Sequence, residues 1–195
     1  MECVVLGLGS NRAWNGMDCI ALLRAACAEL SPLFARMRVS SVYRTKPMYV
    51  VQQADFYNMA VCGTLASTLT PHRLLAEIHR IEAALGRDRS LEVRNGARSI
   101  DIDIELYGNE RIARVDLVIP HPRLHERAFV LVPVLEILSQ TADCIESTQY
   151  AALAQALRRQ NRDDVRLYMT AGDFGAVPAT RGQEYGKTDR YRCDG

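Results

Sequence analysis

Short apolar runs along the chain predict four strands. The run from Cys3 to Leu8 predicts a buried strand, and Gly7-Leu8-Gly9 at its end predicts a tight turn. Val39 to Tyr43 and Met59 to Leu65 predict two further strands. Ile100 to Tyr107 has the clearest pattern of all, because apolar and acidic residues alternate strictly along it.

Apolar residues at helical spacing predict amphipathic helices between these strands. The first helix has its apolar stripe at Ile20, Leu23, Cys27 and Leu30, with Asn15 or Asp18 as its cap. The second begins at Thr70-Pro71, an N-cap followed by proline, and ends at Gly86. Ala128 to Leu138 predicts a short helix, and Tyr150 to Arg159 a weaker one.

Strands mixed with helices and hairpin-like neighbours indicate a compact α+β sandwich. We place the main domain at residues 1–148 and a C-terminal extension at residues 149–195. The extension has the weak helix first. From Gly172 onward it is rich in Gly, Arg and Asp, which predicts a flexible tail that the core chemistry does not need.

Composition narrows the class of protein. The 195 residues are 48% hydrophobic, which excludes a wholly disordered chain. With 24 basic and 23 acidic residues, the chain lacks the charge of a nucleic-acid wrapper or a polybasic membrane binder. The six cysteines are scattered without a C-x-x-C pair, so we expect free thiols in a reduced, cytoplasmic protein with no signal peptide and no membrane span.

The alternating strand carries the first candidate chemistry. Ile100, Ile102, Ile104 and Leu106 are expected on one face, so Asp101 and Asp103 point together from the other. Two like charges on one face repel, and a divalent cation such as Mg²⁺ would turn that repulsion into binding. An amphipathic strand with a solvated acidic face is the alternative from this segment alone.

The loop before that strand favours the metal interpretation. Arg87, Arg89, Arg94 and Arg98 lie within 12 positions of one another, and guanidinium groups make forked contacts to phosphate oxygens. Arginines leading into paired aspartates form the charge pattern of a Mg²⁺–polyphosphate site. No Gly-Lys-Ser/Thr follows the first glycines, so a nucleotide would not bind in P-loop fashion.

Other polar and aromatic residues have simpler interpretations on their own. His121 and His125 have the spacing of zinc ligands, but no third ligand accompanies them, so phosphate contact is favoured for His121. Phe56 and Phe129 are typical core aromatics. An RNA-binding sheet is a further alternative, but two aspartates on the best strand would repel a phosphate backbone.

Taken together, the segments resemble the 6-hydroxymethyl-7,8-dihydropterin pyrophosphokinase family from Val4 to about Ile137. The motifs that carry the resemblance are Gly9-Ser10-Asn11, Ser40-Ser41-Val42-Tyr43-Arg44-Thr45, Asp55-Phe56-Tyr57-Asn58, Ile81-Glu82, Gly86-Arg87, Arg98-Ser99-Ile100-Asp101-Ile102-Asp103-Ile104, Pro120-His121-Pro122-Arg123 and Arg127-Ala128-Phe129. Their order and spacing make the resemblance specific.

The resemblance implies a ferredoxin-like α+β fold, with helices packed on a mainly antiparallel sheet, in a monomer or weak homodimer. It implies a transferase that uses ATP as co-substrate and two Mg²⁺ ions. The expected product is the diphosphate of 6-hydroxymethyl-7,8-dihydropterin, with AMP released, in tetrahydrofolate biosynthesis. A catalytically silent binding module of the same fold is the alternative.

The resemblance also implies roles for individual residues. Asp101 and Asp103 would bind the metal ions, and Arg87 and Arg98 would stabilise the transferred group. The residues implied in pterin binding are Thr45, Met48, Phe56, Asn58 and Phe129. Those implied in ATP binding are His79, Glu82, Arg89, Arg94, Arg98, Ile104, His121 and Arg127.

Overall fold

An antiparallel sheet forms the middle layer of the molecule. A computed structural model describes residues 2–48, 52–90, 96–141 and 144–175, and within these ranges the main sheet has six strands. Its order is β5-β1-β4-β3-β8, with β2 also paired to β4. These strands are β1 Cys3–Ser10, β2 Phe34–Val39, β3 Val42–Thr45, β4 Phe56–Leu65, β5 Asp101–Tyr107 and β8 Val165–Met169; a separate small hairpin joins β6 Ile112–Ala113 to β7 Val118–Ile119.

Helices cover both faces of the sheet. The α-helices in the described residues are α1 Cys19–Leu30, α2 Pro71–Ala84, α3 Ala128–Leu138, α4 Ser147–Arg158 and α5 Ala171–Phe174. One core packs α1 and α2 against the sheet, and a second core packs α3 and α4 against the opposite face. The predicted α+β sandwich with a mainly antiparallel sheet is therefore confirmed.

Local signals place the helix ends where the sequence predicts them. Asp18, one of the two candidate caps, accepts a 2.7 Å bond from the Ala21 amide at the start of α1. The Thr70 side chain caps α2 in the same way. Gly86 follows α2 with φ of +83°, a left-handed conformation that favours glycine.

The strands differ from the predicted ones in several places, of which three affect the site or the sheet edge. The expected strand from Val39 to Tyr43 is divided between β2 and β3, because the Ser40 hydroxyl takes the place of a backbone acceptor for the Ala60 amide. Gly7 and Gly9 lie inside β1 rather than in a turn. β8 was not predicted at all, although it pairs with β3 along the edge of the sheet.

A bulge in β5 places Leu106 on the face of the sheet opposite to the predicted one. The register between β1 and β5 shifts where Leu6 pairs with Ile104 and Val5 with Leu106. One extra residue, Glu105, lies in the bulge, so the alternation reverses after it. Leu106 is consequently buried in the α3–α4 core, on the opposite side of the sheet from Ile102 and Ile104.

The expectation that all cysteines are free is wrong for one pair. Cys3, at the start of β1, and Cys144, before α4, form a disulfide with their Cα atoms 5.4 Å apart. Cys19, Cys27 and Cys62 are free. Among the described residues, we find no helix with the length and hydropathy required to span a bilayer.

Candidate active site

Two glycines in β1 open a cleft on the α3 side of the sheet. A Cβ atom on Gly7 would lie 2.8 Å from Glu105 Oε1, and one on Gly9 would lie 2.9 Å from Asn58 Oδ1. Both distances are too short for ordinary contact, so only glycine leaves room for these two polar side chains. The Gly-x-Gly pattern therefore serves close approach between strands.

The cleft encloses about 760 Å³ of empty space, its open mouth included. It brings together all the residues implied in pterin binding with both candidate metal ligands. The lining residues for which the family resemblance implies a role are Thr45, Met48, Phe56, Asn58, Arg98, Asp101, Asp103, Arg127 and Phe129.

Three carboxylates project into the cleft from β5. Burial and the nearby charge of Asp101 raise the pKa of Asp103 to about 7. Burial also raises the pKa of Glu105, with Asp103 adding to the effect. Neither carboxylate oxygen of Glu105 has a hydrogen-bond partner among the described residues. Ionising both Asp103 and Glu105 would therefore place more negative charge in this wall than its neighbours neutralise.

Two arginines hold Asp101. Arg87 Nη1 contacts Asp101 Oδ1, and Arg98 Nη1 lies 2.7 Å from Asp101 Oδ2. The side chain of Arg87 is only 7% exposed, so its pair with Asp101 is well shielded from solvent. Both oxygens of this carboxylate are thus paired with cations.

The buried carboxylate of Glu82 binds two of the arginines. Its side chain is 1% exposed, in contrast to the solvated position that its place on a helix suggests. Oε1 accepts from Arg87 and, at 2.8 Å, from the Ile102 amide at the start of β5. Oε2 lies 2.6 Å from Arg89 Nη2. One carboxylate on α2 therefore joins two arginines to the strand of aspartates.

Asn11 fixes the backbone of Arg98. Its side-chain oxygen accepts a 2.8 Å bond from the Arg98 amide, and its own amide donates to the Arg98 carbonyl at 3.1 Å. The Asn11 side chain also donates to the Ala54 carbonyl at 3.1 Å. This asparagine, which follows β1, links the arginine loop to the segment that precedes Phe56.

The opposite part of the cleft suits a flat polar ring. Asn58 and Thr45 are both buried, and Asn58 Nδ2 donates to Thr45 Oγ1 at 2.7 Å. Phe56 and Phe129 are partly buried and line the same cleft. A heterocycle with its own donors and acceptors could stack on these rings and exchange hydrogen bonds with the Asn58–Thr45 pair.

Arg127 and His121 lie beside the carboxylates. Arg127 Nη1 is 3.8 Å from Asp103 Oδ2, and its guanidinium carbon is 5.7 Å from the centre of the Phe129 ring. Burial lowers the pKa of His121 to about 4, with the charge of Arg127 acting in the same direction. The neutral ring accepts from the Arg123 amide through Nδ1, which lies 3.9 Å from Glu105 Oε2.

A second cleft adjoins the first at the Arg87–Asp101 pair. His79, Glu82, Arg87 and Arg89 line it together with Trp14 and Gly86. Burial lowers the pKa of His79, and the charge of Arg89 lowers it further. The two clefts thus meet at the arginine–aspartate pair.

The expected ATP-site residue Ile104 is not among the residues that line either cleft. The Ile104 side chain is 4% exposed and lies in the α1–α2 core. Arg94 lies outside the described residues. Sequence reasoning also gave no role to Glu105, although its alternation with Asp101 and Asp103 would have placed all three on one face.

The donor set fits a hard divalent cation. Asp101 and Asp103 offer carboxylate oxygens, which Mg²⁺ prefers, and a cation would stabilise the ionised form of Asp103, whose pKa is raised by burial and by the nearby charge of Asp101. The buried carboxyl of Glu105, two positions further along the strand, has no hydrogen-bond partner among the described residues and would add to that charge when ionised.

Comparison with known proteins identifies the family. The model of the 7,8-dihydro-6-hydroxymethylpterin-pyrophosphokinase (HPPK) family matches residues 5–139, a range that contains every candidate site residue. The chain belongs to the HPPK family. α4 and β8 lie beyond the matched range.

Relatives from two bacteria carry the name 2-amino-4-hydroxy-6-hydroxymethyldihydropteridine pyrophosphokinase. The Bacillus subtilis protein is 47% identical over 53% of this chain and 59% of its own length. The Methylorubrum extorquens protein is 44% identical over 70% of this chain and 83% of its own length. The mitochondrial folate synthesis bifunctional protein of Pisum sativum is 37% identical over 73% of this chain, which spans only 26% of that relative. Several relatives are therefore substantially longer than the segment they share with this HPPK chain.

Solved structures show the same fold at low identity. The Plasmodium falciparum HPPK-DHPS wild-type structure with pteroate superimposes with a TM-score of 0.61 and 14% identity, over 85% of this chain and 47% of that one. This likeness supports the ferredoxin-like α+β fold of the HPPK chain.

Proposed function

We propose that this chain transfers pyrophosphate from ATP to 6-hydroxymethyl-7,8-dihydropterin, giving the pterin diphosphate and AMP in tetrahydrofolate biosynthesis. The observation that carries the proposal is the junction of two clefts at Asp101 and Arg87. One cleft has aromatic rings and a buried amide, and the other has arginines. No observation on the described residues favours the silent binding module.

In this proposal the pterin occupies the first cleft. Phe56 and Phe129 stack on the ring, and Asn58 and Thr45 hydrogen-bond to its polar edge. Met48, whose side chain is 55% exposed, lies at the rim and covers the bound ring. The hydroxymethyl group then faces the β5 carboxylates, where the new bond must form.

The triphosphate of ATP extends from the second cleft towards Asp101. Arg87, Arg98 and Arg127 are placed to exchange carboxylate partners for phosphate oxygens, with Arg89 and His79 nearer the nucleoside. The hydroxyl oxygen bonds to the β-phosphorus, the bond from that phosphorus to the α-phosphate bridging oxygen breaks, and the hydroxyl proton is lost. Positioning and charge neutralisation account for catalysis without a covalent intermediate.

Asp101 and Asp103 would hold Mg²⁺, and we propose two ions. When bound there, the metal neutralises phosphate charge and lowers the pKa of the attacking hydroxyl. The chain's own contribution is to present two carboxylates on one strand face and to keep Arg98 in place through Asn11.

The test is the formation of AMP from ATP by the purified chain. We expect AMP and the pterin diphosphate in equal amounts, and only when Mg²⁺ and the reduced pterin alcohol are both present. Asp101→Ala and Asp103→Ala should each lower turnover at least about a hundredfold with the fold intact, because charge stabilisation at the transferred group is lost. AMP formation without the pterin, or full activity in either variant, would contradict the proposal.

We propose a cytoplasmic location and a monomer or weak homodimer for the working enzyme. The family to which the chain belongs, and the small size of both expected substrates, support this proposal.

A further inference from the structure

Three cysteines meet on the α3–α4 side of the sheet. Cys3 begins β1, Cys62 lies in β4, and Cys144 precedes α4. The Cys62 sulfur is 2.8 Å from the Cys144 sulfur and 3.7 Å from the Cys3 sulfur. Because the three positions are far apart in the sequence, their spacing gives no motif, and only the fold brings the sulfurs together.

We propose that the reduced forms of Cys3, Cys62 and Cys144 bind one thiophilic metal ion, for which zinc(II) is the best fit. All three sulfurs lie within 4.8 Å of one another. In a tetrahedral zinc–thiolate site, a Zn–S bond of about 2.3 Å separates the sulfurs by roughly 3.8 Å. The sulfur atoms of Cys3 and Cys62 are already about this far apart. Small side-chain rotations would place the Cys144 sulfur at the same distance from them.

Neighbouring groups complete the coordination and the charge. Thr141 Oγ1 lies 3.9 Å from the Cys62 sulfur and donates its own hydrogen to the Ile137 carbonyl, so its lone pairs can accept a hydrogen bond from a water molecule in the fourth position that three protein ligands leave open. Arg38 pairs directly opposite Cys62 in β2, and its positive charge opposes the burial that raises the pKa of the Cys62 thiol to about 11. Three thiolates, a divalent cation and this guanidinium together carry no net charge.

Binding requires reduction of the Cys3–Cys144 disulfide. A phosphine supplies two electrons and becomes the phosphine oxide with oxygen from water, while the two sulfurs each gain a proton. The metal then displaces the protons of all three thiols. The ion would tie β1 and β4 to the segment that leads into α4, and so hold the C-terminal extension on the core.

This site is independent of the proposed enzyme activity. Cys3 and Gly9 lie at opposite ends of β1, a separation of about 20 Å at the rise of an antiparallel strand. Soft sulfur ligands also differ in kind from the oxygen ligands that suit Mg²⁺. Metal binding to the cysteines can therefore be measured without any enzymatic assay.

The experiment titrates the full chain with Cd²⁺ after phosphine reduction, in the absence of nucleotide. We expect ultraviolet thiolate-to-cadmium absorption that saturates at one ion per chain. Added Zn²⁺ should displace the cadmium and abolish this absorption. Zn²⁺ should also raise the melting temperature of the reduced chain. Cys62→Ser and Cys144→Ser should each weaken binding at least about a hundredfold, since losing a direct ligand costs more than losing a supporting contact. Cys19→Ser, which removes a thiol outside the cluster, should bind as the unmodified chain does.

A reduced chain without thiolate absorption would overturn the proposal, as would unchanged binding in both cluster variants. If a variant fails to fold, the decisive test is whether Zn²⁺ protects the cysteines of the unmodified chain against alkylation. Zn²⁺ must slow alkylation of Cys3, Cys62 and Cys144 while leaving Cys19 unprotected, and equal alkylation with and without Zn²⁺ would also refute the site.

Discussion

Buried charge at single residues determines how the candidate site is held together. Glu82 and Glu105 are both fully buried acids, but their surroundings differ. Glu82 has two arginines and a backbone amide as partners. Glu105 has no hydrogen-bond partner among the described residues. Removing the negative charge should therefore have opposite effects at the two positions.

The Glu82→Gln variant should be destabilised. Neutralising this carboxylate leaves Arg87, which is 7% exposed, without one of its charge partners. Breaking a buried pair in this way lowers the free energy of unfolding by about 3 kcal/mol, measurable by urea denaturation. Glu77→Gln is the control on the same helix, because its pair with Arg80 is exposed and contributes less than about 1 kcal/mol. Equal losses in the two variants would contradict the role assigned to Glu82.

The Glu105→Gln variant should be more stable than the unmodified chain at high pH. Burial raises the pKa of Glu105 in the folded state, so the folded chain holds this proton more tightly than the unfolded chain. The favourable contribution is complete below the ordinary glutamate pKa of about 4.3 and is lost as the pH rises through the folded value. The stability difference between variant and unmodified chain, measured without divalent cations, should consequently grow with pH. A stability difference that does not change with pH would show that burial does not destabilise the ionised form of Glu105.

At the scale of elements, the cleft depends on how closely β1 approaches its neighbours. β1 lies between β4 and β5, and its glycines leave space for side chains from both. The bulge in β5 then places Glu105 and Leu106 on the same side of the sheet. Register and side-chain volume together therefore shape the floor of the cleft.

Gly9→Ala should weaken pterin binding. The new methyl group would lie 2.9 Å from Asn58 Oδ1 and displace a side chain that is hydrogen-bonded to Thr45. We expect KM for the pterin to rise roughly tenfold, which corresponds to about 1.4 kcal/mol, with a smaller change for ATP. Gly172→Ala is the control, since its methyl group would approach only the Thr170 hydroxyl, at 3.8 Å. An equal rise in KM for both substrates in Gly9→Ala would refute this role.

Predictions from the sequence succeeded where one periodic pattern determined an element. The stripe of α2 and the alternation from Asp101 to Ile104 needed no tertiary information. The face of Leu106 could not be predicted, because the bulge arises from pairing with a distant strand. β8 was missed since its burial is slight and its position depends on the free edge of β3. Likewise, the burial of Glu82 could not be predicted, because it depends on contacts with arginines that come after α2 in the chain.

At the scale of the whole molecule, the C-terminal extension is part of the folded structure. β8 extends the sheet beyond β3, and Phe174 in α5 is 4% exposed in the α1–α2 core. The Arg24 side chain donates to the Phe174 carbonyl at 3.1 Å. These contacts hold the end of the extension against α1.

Two truncations test the contribution of the extension. Ending the chain after Gln160 removes β8 and Phe174, and should lower the free energy of unfolding by at least about 2 kcal/mol, the value of one buried phenylalanine. Ending it after Gly175 removes residues 176–195, most of the Gly-, Arg- and Asp-rich tail that begins at Gly172, and should leave stability and turnover unchanged. Thermal melts and AMP assays measure both effects. Equal stability after the two truncations would contradict the role of β8.

The most direct test of the proposed active site is a crystal structure with a non-hydrolysable ATP analogue, Mg²⁺ and the pterin alcohol. We expect Mg²⁺ on Asp101 and Asp103, Arg87 and Arg98 turned from Asp101 to the phosphates, and the pterin ring between Phe56 and Phe129. A structure in which both aspartates contact only solvent or arginine, with no cation beside the bound nucleotide, would contradict the account.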